Sequence, residues 1–188
     1  MWKWIPISLL ILAGTSLSSA QDRDRRDTRG SGESQKNRVL KVFDAKGRLV
    51  GPLSHPGGTE GEGVVLAVGG AATFAGITRS SDDMGQVHAS KYVWSAAELY
   101  YPTSDCSGQP VIFDAPPVFR PSVVDRRGAT ATLYIAPDVP TTSMTLGSQS
   151  FKGSCRTPNP PPFVGNVWPV QTVYSLTEHY PEPLAVHY

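Results

Sequence analysis

The sequence predicts an all-β fold, a single sandwich or barrel-like domain of short antiparallel strands behind a disordered leader. Three observations carry this reading. From residue 38 onward the apolar residues fall in short β-prone runs. Gly and Pro are abundant, 18 and 17 in the chain, and recur between those runs. No window beyond the amino terminus carries apolar residues at helical spacing. Many short strands separated by turn residues read as a sandwich or barrel.

The expected elements follow in order. Residues 39–43 are a β-prone run. Asp44-Ala45-Lys46-Gly47 is a tight turn with Gly47 in its left-handed position, and Arg48-Leu49-Val50 is the return. GGTEGEG, residues 57–63, is expected as a loop between strands; it lacks the Lys-Ser or Lys-Thr and the following helix of a phosphate-binding loop. VVLAV and AATFAGIT meet at Gly69-Gly70, a hairpin signal. Residues 91–94, 98–101 and 111–113 are further runs. Val123-Val124, DRRG and ATATLYIA make another hairpin. Its second strand puts Ala129, Ala131, Leu133 and Ile135 on one face and Thr130, Thr132 and Tyr134 on the other. Residues 142–146 and 149–151 are expected to pair around Gly147-Ser148. PNPPPF, residues 158–163, is expected as an extended polyproline II connector. Residues 163–170 and 173–176 then close the domain.

The first 20 residues, MWKWIPISLLILAGTSLSSA, read as a signal peptide. Lys3 gives a positive start, the apolar run is too short to span a bilayer, and Ser18 and Ala20 are the small residues before a cut between Ala20 and Gln21. No cysteine at the cut offers a lipid anchor, and no later segment is long and apolar enough to span a membrane. The expected location is therefore periplasmic or extracellular. Residues 21–37, QDRDRRDTRGSGESQKN, hold no Val, Ile, Leu, Met or aromatic residue, so they read as a disordered charged linker. Residues 38–188 form the expected β-domain, and about 168 residues remain after cleavage, the length of one domain.

The chain has 17 Lys and Arg against 16 Asp and Glu; losing Lys3 with the signal leaves 16 of each. The leader's Arg23, Arg25 and Arg26 alternate with Asp22, Asp24 and Asp27, which cancel most of their field. A neutral chain has no electrostatic case for nucleic acid. Cys106 and Cys155 are the only cysteines. In an oxidising compartment such a pair reads as a disulfide. Neither has a second Cys or a His within zinc-ligand spacing. The loop they would close, about 50 residues, corresponds to roughly 4 kcal/mol in the chain-entropy account.

Catalytic motifs are thin. There is no G-x-S-x-G, no H-E-x-x-H, no phosphate-binding loop and no calcium loop, so no metal or cofactor is implied. His55, His88, His179 and His187 are scattered; a three-dimensional site would gather two of them with Asp82 or Asp83 around a metal, or use Glu98 and Asp105 as acid and base, and exposed loop histidines with a solvated acid pair are the plainer reading. The aromatics Trp94, Tyr100, Tyr101, Trp168, Tyr174 and Tyr180 concentrate in two sections of the chain. Trp94 and Trp168 read first as core. Adjacent Tyr100 and Tyr101 point to opposite faces of a strand. Burying Tyr100 exposes Tyr101, the preferred binding residue, with Trp168 as the second binding candidate.

FDAKGRLVG, residues 43–51, and LYYPTSDCSGQP, residues 99–110, resemble a pair of motifs in uncharacterised exported bacterial β-domains. There D-x-x-G-x-x-V-G precedes an aromatic strand ending in D-C-x-G, with a later partner cysteine. The resemblance covers most of residues 39–155 and implies a β fold and the Cys106–Cys155 bridge. It carries no activity.

The expected role is that of an exported, non-enzymatic binding domain with an envelope or extracellular partner, a glycan or a protein. The alternatives are a hydrolase whose site assembles only in three dimensions and a subunit of a surface assembly. Convergent His and carboxylate groups would mark the first, a long unpaired apolar edge strand the second.

Overall fold

The computed structural model describes residues 39–57, 61–116, 118–158 and 161–188. The expected signal peptide, the Ala20–Gln21 cut and the charged leader lie outside the described residues, as do parts of the GGTEGEG and PNPPPF segments.

The regular structure of the described residues is almost entirely antiparallel strand. A first sheet contains β1 (Lys41–Phe43), β2 (Leu49–Ser54), β3 (Gly63–Val68), β4 (Ala71–Ser81), β5 (Val87–Trp94) and β15 (Ala185–His187), in the order β15-β1-β2-β3-β4-β5. Its two ends meet: Tyr92 N–H donates to Leu184 O at 2.8 Å, and Leu184 N–H donates to Tyr92 O at 2.7 Å. The sheet is thus a nearly closed barrel, which removes most of its exposed edge.

The turns between β1 and β2 and between β4 and β5 are built alike. Asp44 Oδ1 accepts the N–H groups of Lys46 and Arg48, both at 2.9 Å. Asp82 Oδ1 accepts those of Met84 and Gln86 at 3.0 and 2.8 Å. Each carboxylate stands in for a turn carbonyl, and each turn needs a left-handed residue, Gly47 at φ 73° and Gly85 at φ 78°. Asp82 is therefore the organiser of a turn and not the site carboxylate expected from the sequence.

A small sheet of β8 (Ser122–Arg127), β9 (Thr130–Ile135) and β14 (Thr172–Ser175) packs its apolar face against the barrel; the single helical turn α1 (Leu176–His179) follows it. The alternation read for β9 holds: Ala131, Leu133 and Ile135 are buried with Val42, Val64, Leu66, Ile77 and Trp94 of the barrel. Leu176 and Leu184 complete this core from the carboxyl-terminal segment.

The remaining strands are β6 (Leu99–Tyr101), β7 (Val111–Ile112), β10 (Thr142–Leu146), β11 (Ser148–Phe151), β12 (Ser154–Arg156) and β13 (Phe163–Pro169). They form a second six-stranded sheet in the order β10-β13-β7-β6-β11-β12. Here one expectation fails. β10 pairs with β13, and β11 pairs with β6 and β12, so residues 142–146 and 149–151 are not a hairpin. Gly147 between them is a crossing point, where a Cβ would lie 2.7 Å from the carbonyls of both Pro102 and Thr103.

The inner face of this sheet buries Leu99, Tyr101 and Ile112 against Val123, Ala136 and Val170. Its outer face carries a separate small core of Val111, Leu146 and Val167. No helix among the described residues is long and apolar enough to cross a membrane.

Candidate functional site

The outer face of the second sheet is assembled around the disulfide turn. Cys106 and Cys155 are bonded, with their Cα atoms 5.8 Å apart, and Cys155 lies opposite Ser150 in the β11–β12 ladder. The Cys106 N–H donates to Ser148 Oγ at 2.8 Å, and that hydroxyl donates to Thr103 O at 2.7 Å. The loop after β6 is therefore tied to β11 covalently and by hydrogen bonds. Gly108, at φ 82°, makes the turn.

Strand register then sets a row of side chains on one face: Arg156 opposite Gln149, Gln149 opposite Tyr100, and Tyr100 opposite Val111. Three half-buried rings roof the small core beneath. Tyr100 and Phe113 meet edge-on at 5.2 Å, Phe113 and Phe163 at 5.4 Å, and Tyr100 and Phe163 at 6.2 Å between centroids. Such edge-to-face contacts add roughly 0.5–1.5 kcal/mol per pair beyond burial. Gly165 makes room for the roof, since a Cβ there would lie 2.6 Å from the Phe113 ring.

Glu98 is the polar centre of this rim. Tyr100 donates its hydroxyl to Glu98 Oε2 at 2.9 Å, Gln149 donates its amide to Oε1 at 3.2 Å, and Arg156 donates to the same Oε1. Burial pushes the Tyr100 hydroxyl up to about 12, helped by its hydrogen bond to Glu98 and by that carboxylate's charge. The phenol therefore stays a neutral donor. Phe151 extends the surface, with Lys152 Nζ at 5.4 Å and the Arg156 guanidinium at 5.9 Å from its ring centre. Aromatic surface, one carboxylate, one amide and one guanidinium suit stacking and hydrogen bonding to a polyol. The group holds no nucleophile paired with a base.

The two expected binding residues sit elsewhere. Tyr101 is 2% exposed, and it is Tyr100 that faces outward. The alternation was read in the wrong phase: β6 is three residues long, and Leu99, at 0% exposure, commits Tyr101 to the inner face with it. The Tyr101 hydroxyl accepts from Arg127 at 3.4 Å, and Arg127 in turn holds Asp125 at 2.8 Å. Trp168 is half-buried against the same inner core, opposite Ile112. Trp94, expected in the core, is fully buried there.

The carboxylates and histidines that a hydrolase would need are dispersed among other tasks. Asp105 accepts the Ser107 N–H at 3.1 Å in its own turn. Hydrogen bonds from Ser107 hold its carboxyl below the ordinary range. His179 stacks on Tyr174 and His187 on Phe43, each at 4.1 Å, while His55 is exposed. Among the described residues no group of three His, Cys, Asp or Glu is placed to hold a metal ion.

Sequence reasoning overlooked Phe113, Phe163, Gln149 and Arg156. One signal was available: Glu98 and Tyr100 are two apart in the β-prone run 98–101, a spacing that puts them on one face. Lys152-Gly153 also marks a two-residue hairpin that sets Gln149 opposite Arg156. Comparison with protein-family models, curated proteins and solved structures finds no match to this chain.

Proposed function

We propose that this chain is an exported binding domain that holds a glycan on the outer face of its second sheet and catalyses nothing. The observation that carries this reading is the Tyr100–Phe113–Phe163 roof edged by Glu98, Gln149 and Arg156. Ring surfaces take the C–H face of a sugar, and the rim supplies acceptors and donors for its hydroxyls. The rings are already immobilised by one another, so little side-chain entropy is lost on binding. The disulfide beside them is compatible with an oxidising, exported location.

The test is a screen of the purified mature domain against neutral glycans, followed by calorimetry on any hit. Phe163→Ala and Glu98→Gln are expected to weaken binding about tenfold each, a loss of about 1.4 kcal/mol. Tyr101→Phe, on the inner face, should leave it unchanged. Hydrolysis of an ester, peptide or glycan that is abolished by altering Glu98, Asp105 or one histidine would overturn the reading in favour of an enzyme.

A further inference from the structure

A pocket lined by none of the three roof rings has a different chemistry. It has a volume of about 440 Å³ and is bounded by β4, the end of β5, the β8–β9 turn and the β11–β12 turn. Its charged lining is cationic throughout: Arg79 from β4, Arg126 from β8 and Lys152 from the β11–β12 turn. Thr78, Ser81 and Gly128 add hydroxyl and backbone groups. A site of this size accommodates a monosaccharide-sized ligand.

Three features separate this cluster from an ordinary solvated surface. First, Arg126 is held rigidly. Its side chain is 18% exposed and grips Glu182 through two of its N–H groups, at 2.7 and 2.8 Å. A guanidinium has five N–H donors, so three remain for another acceptor. Second, Arg79 and Lys152 form no ion pair among the described residues. Arg79 instead lies over the Tyr92 ring at 5.8 Å and Lys152 over Phe151 at 5.4 Å. Third, Lys152 adopts φ 51°, one of two non-glycine residues at positive φ among those described. It occupies the first position of a two-residue hairpin turn, with Gly153 at φ 79° in the second. Gly or Asn serves that position without the penalty an ordinary side chain incurs, roughly 1–2 kcal/mol. A lysine in a strained conformation, lining a pocket with two arginines, points to a role for its charge.

We propose that this pocket binds the oxyanion of a small ligand, a phosphate, sulfate or carboxylate carried on a sugar-sized group. Arg79 and Lys152 supply the uncompensated charge, and Arg126 the oriented donors. Lys152 also borders the glycan surface through Phe151, but the pocket is lined by none of Tyr100, Phe113, Phe163, Glu98, Gln149 or Arg156, so the proposal stands if the glycan reading fails.

The experiment uses the mature domain at low ionic strength, where exposed charges are least screened. Inorganic phosphate, sulfate, glucose 6-phosphate and glucuronate are titrated in turn by calorimetry and by thermal shift. The expected result is saturable binding of at least one of these anions that weakens steeply with added salt. Arg79→Ala and Lys152→Gly should each weaken it about tenfold. Lys152→Gly also controls for folding: glycine suits the left-handed position, so the melting temperature should hold or rise while the anion is lost. Vesicles of anionic and of neutral phospholipid form the last arm. Binding to anionic vesicles as well as to free phosphate places the oxyanion on a lipid headgroup and keeps the site. Binding to vesicles alone would overturn the pocket in favour of a diffuse surface attraction. Absence of saturable binding by any probe, or affinity unchanged in both variants, would overturn it outright.

Discussion

Arg126 and Glu182 face each other as a fork on a fork. The two guanidinium nitrogens donate to the two carboxylate oxygens at 2.7 and 2.8 Å, with side-chain exposures of 18% and 13%. The same Oε1 accepts the Trp94 N–H at 2.6 Å, so one carboxylate ties the carboxyl-terminal segment to β5 and β8 together. Around it, Leu176 and Leu184 enter the main core and β15 pairs with β1.

The first prediction follows from that arrangement. Glu182→Ala leaves a largely buried guanidinium and a backbone N–H without their acceptor. The loss is expected to be about 3 kcal/mol, read from urea unfolding. A change below about 0.5 kcal/mol, the level of an exposed pair, would show that the segment is held by its backbone pairing and by Leu176 and Leu184 without help from the ion pair.

A second prediction concerns acid. Asp44 is 4% exposed. Burial by itself would raise its carboxyl, but the Arg48 N–H, the Arg48 guanidinium and the Lys46 N–H outweigh it and hold the group below its ordinary 3.8. A carboxyl depressed by folding contributes stability above its unfolded value and loses that contribution as the pH falls through the folded value. Stability should therefore decline as the pH drops below about 4. Asp44→Asn keeps the turn geometry and removes the charge, so it should flatten that slope. An unchanged acid slope in the variant would assign the decline to other carboxylates. Asp44→Ala should cost roughly 2–3 kcal/mol at neutral pH by leaving the turn N–H groups without a charged acceptor.

Much of the fold was legible because alternation and turn chemistry are local. β9 shows its core face in every second residue, and Gly69-Gly70 and the DRRG turn mark hairpins with no tertiary help. The D-x-x-G turn is equally readable at Asp82, since Asp44 three strands earlier spells the same pattern. What failed depended on tertiary contacts. A three-residue strand such as β6 has no phase of its own, and packing of Leu99 decided which tyrosine faced out. Gly147 reads as a turn glycine in sequence, whereas its role is to let another loop pass within contact distance. β15 has too few residues to announce itself; its partner β1 lies at the opposite end of the domain sequence. The roof of the candidate site joins Phe113 and Phe163, 50 residues apart and brought together by the pairing of β13 with β7.

The third prediction tests the disulfide as a structural brace. Cys106→Ala or Cys155→Ala should destabilise the domain by ~2–5 kcal/mol. The native protein should show no thiol reactive toward a colorimetric reagent, since both cysteines are bonded. The single variants should expose one thiol each. Two reactive thiols in the native protein would refute the brace.

The fourth prediction takes the candidate site to alkaline pH. Tyr100 is pushed up to about 12 by burial and then by Glu98. Tyr101, Tyr134 and Tyr174 are also raised, in each case chiefly by burial. A group whose folded value lies above its unfolded one contributes stability that is complete below the unfolded value and is lost as the pH rises through the folded one. For these tyrosines the unfolded value is 10.0, so the domain should hold its stability up to about pH 10 and lose it between there and about pH 12. Glu98→Gln removes the charge beside Tyr100 while leaving an acceptor for its hydroxyl. Phenolate absorbance in the near ultraviolet should then show one tyrosine titrating earlier than in the parent. Tyr100→Phe should delete that late-titrating group and leave the others in place. If Glu98→Gln leaves the whole curve unmoved, Tyr100 is not coupled to the carboxylate, and the rim proposed to meet a sugar is not the connected network its hydrogen bonds describe.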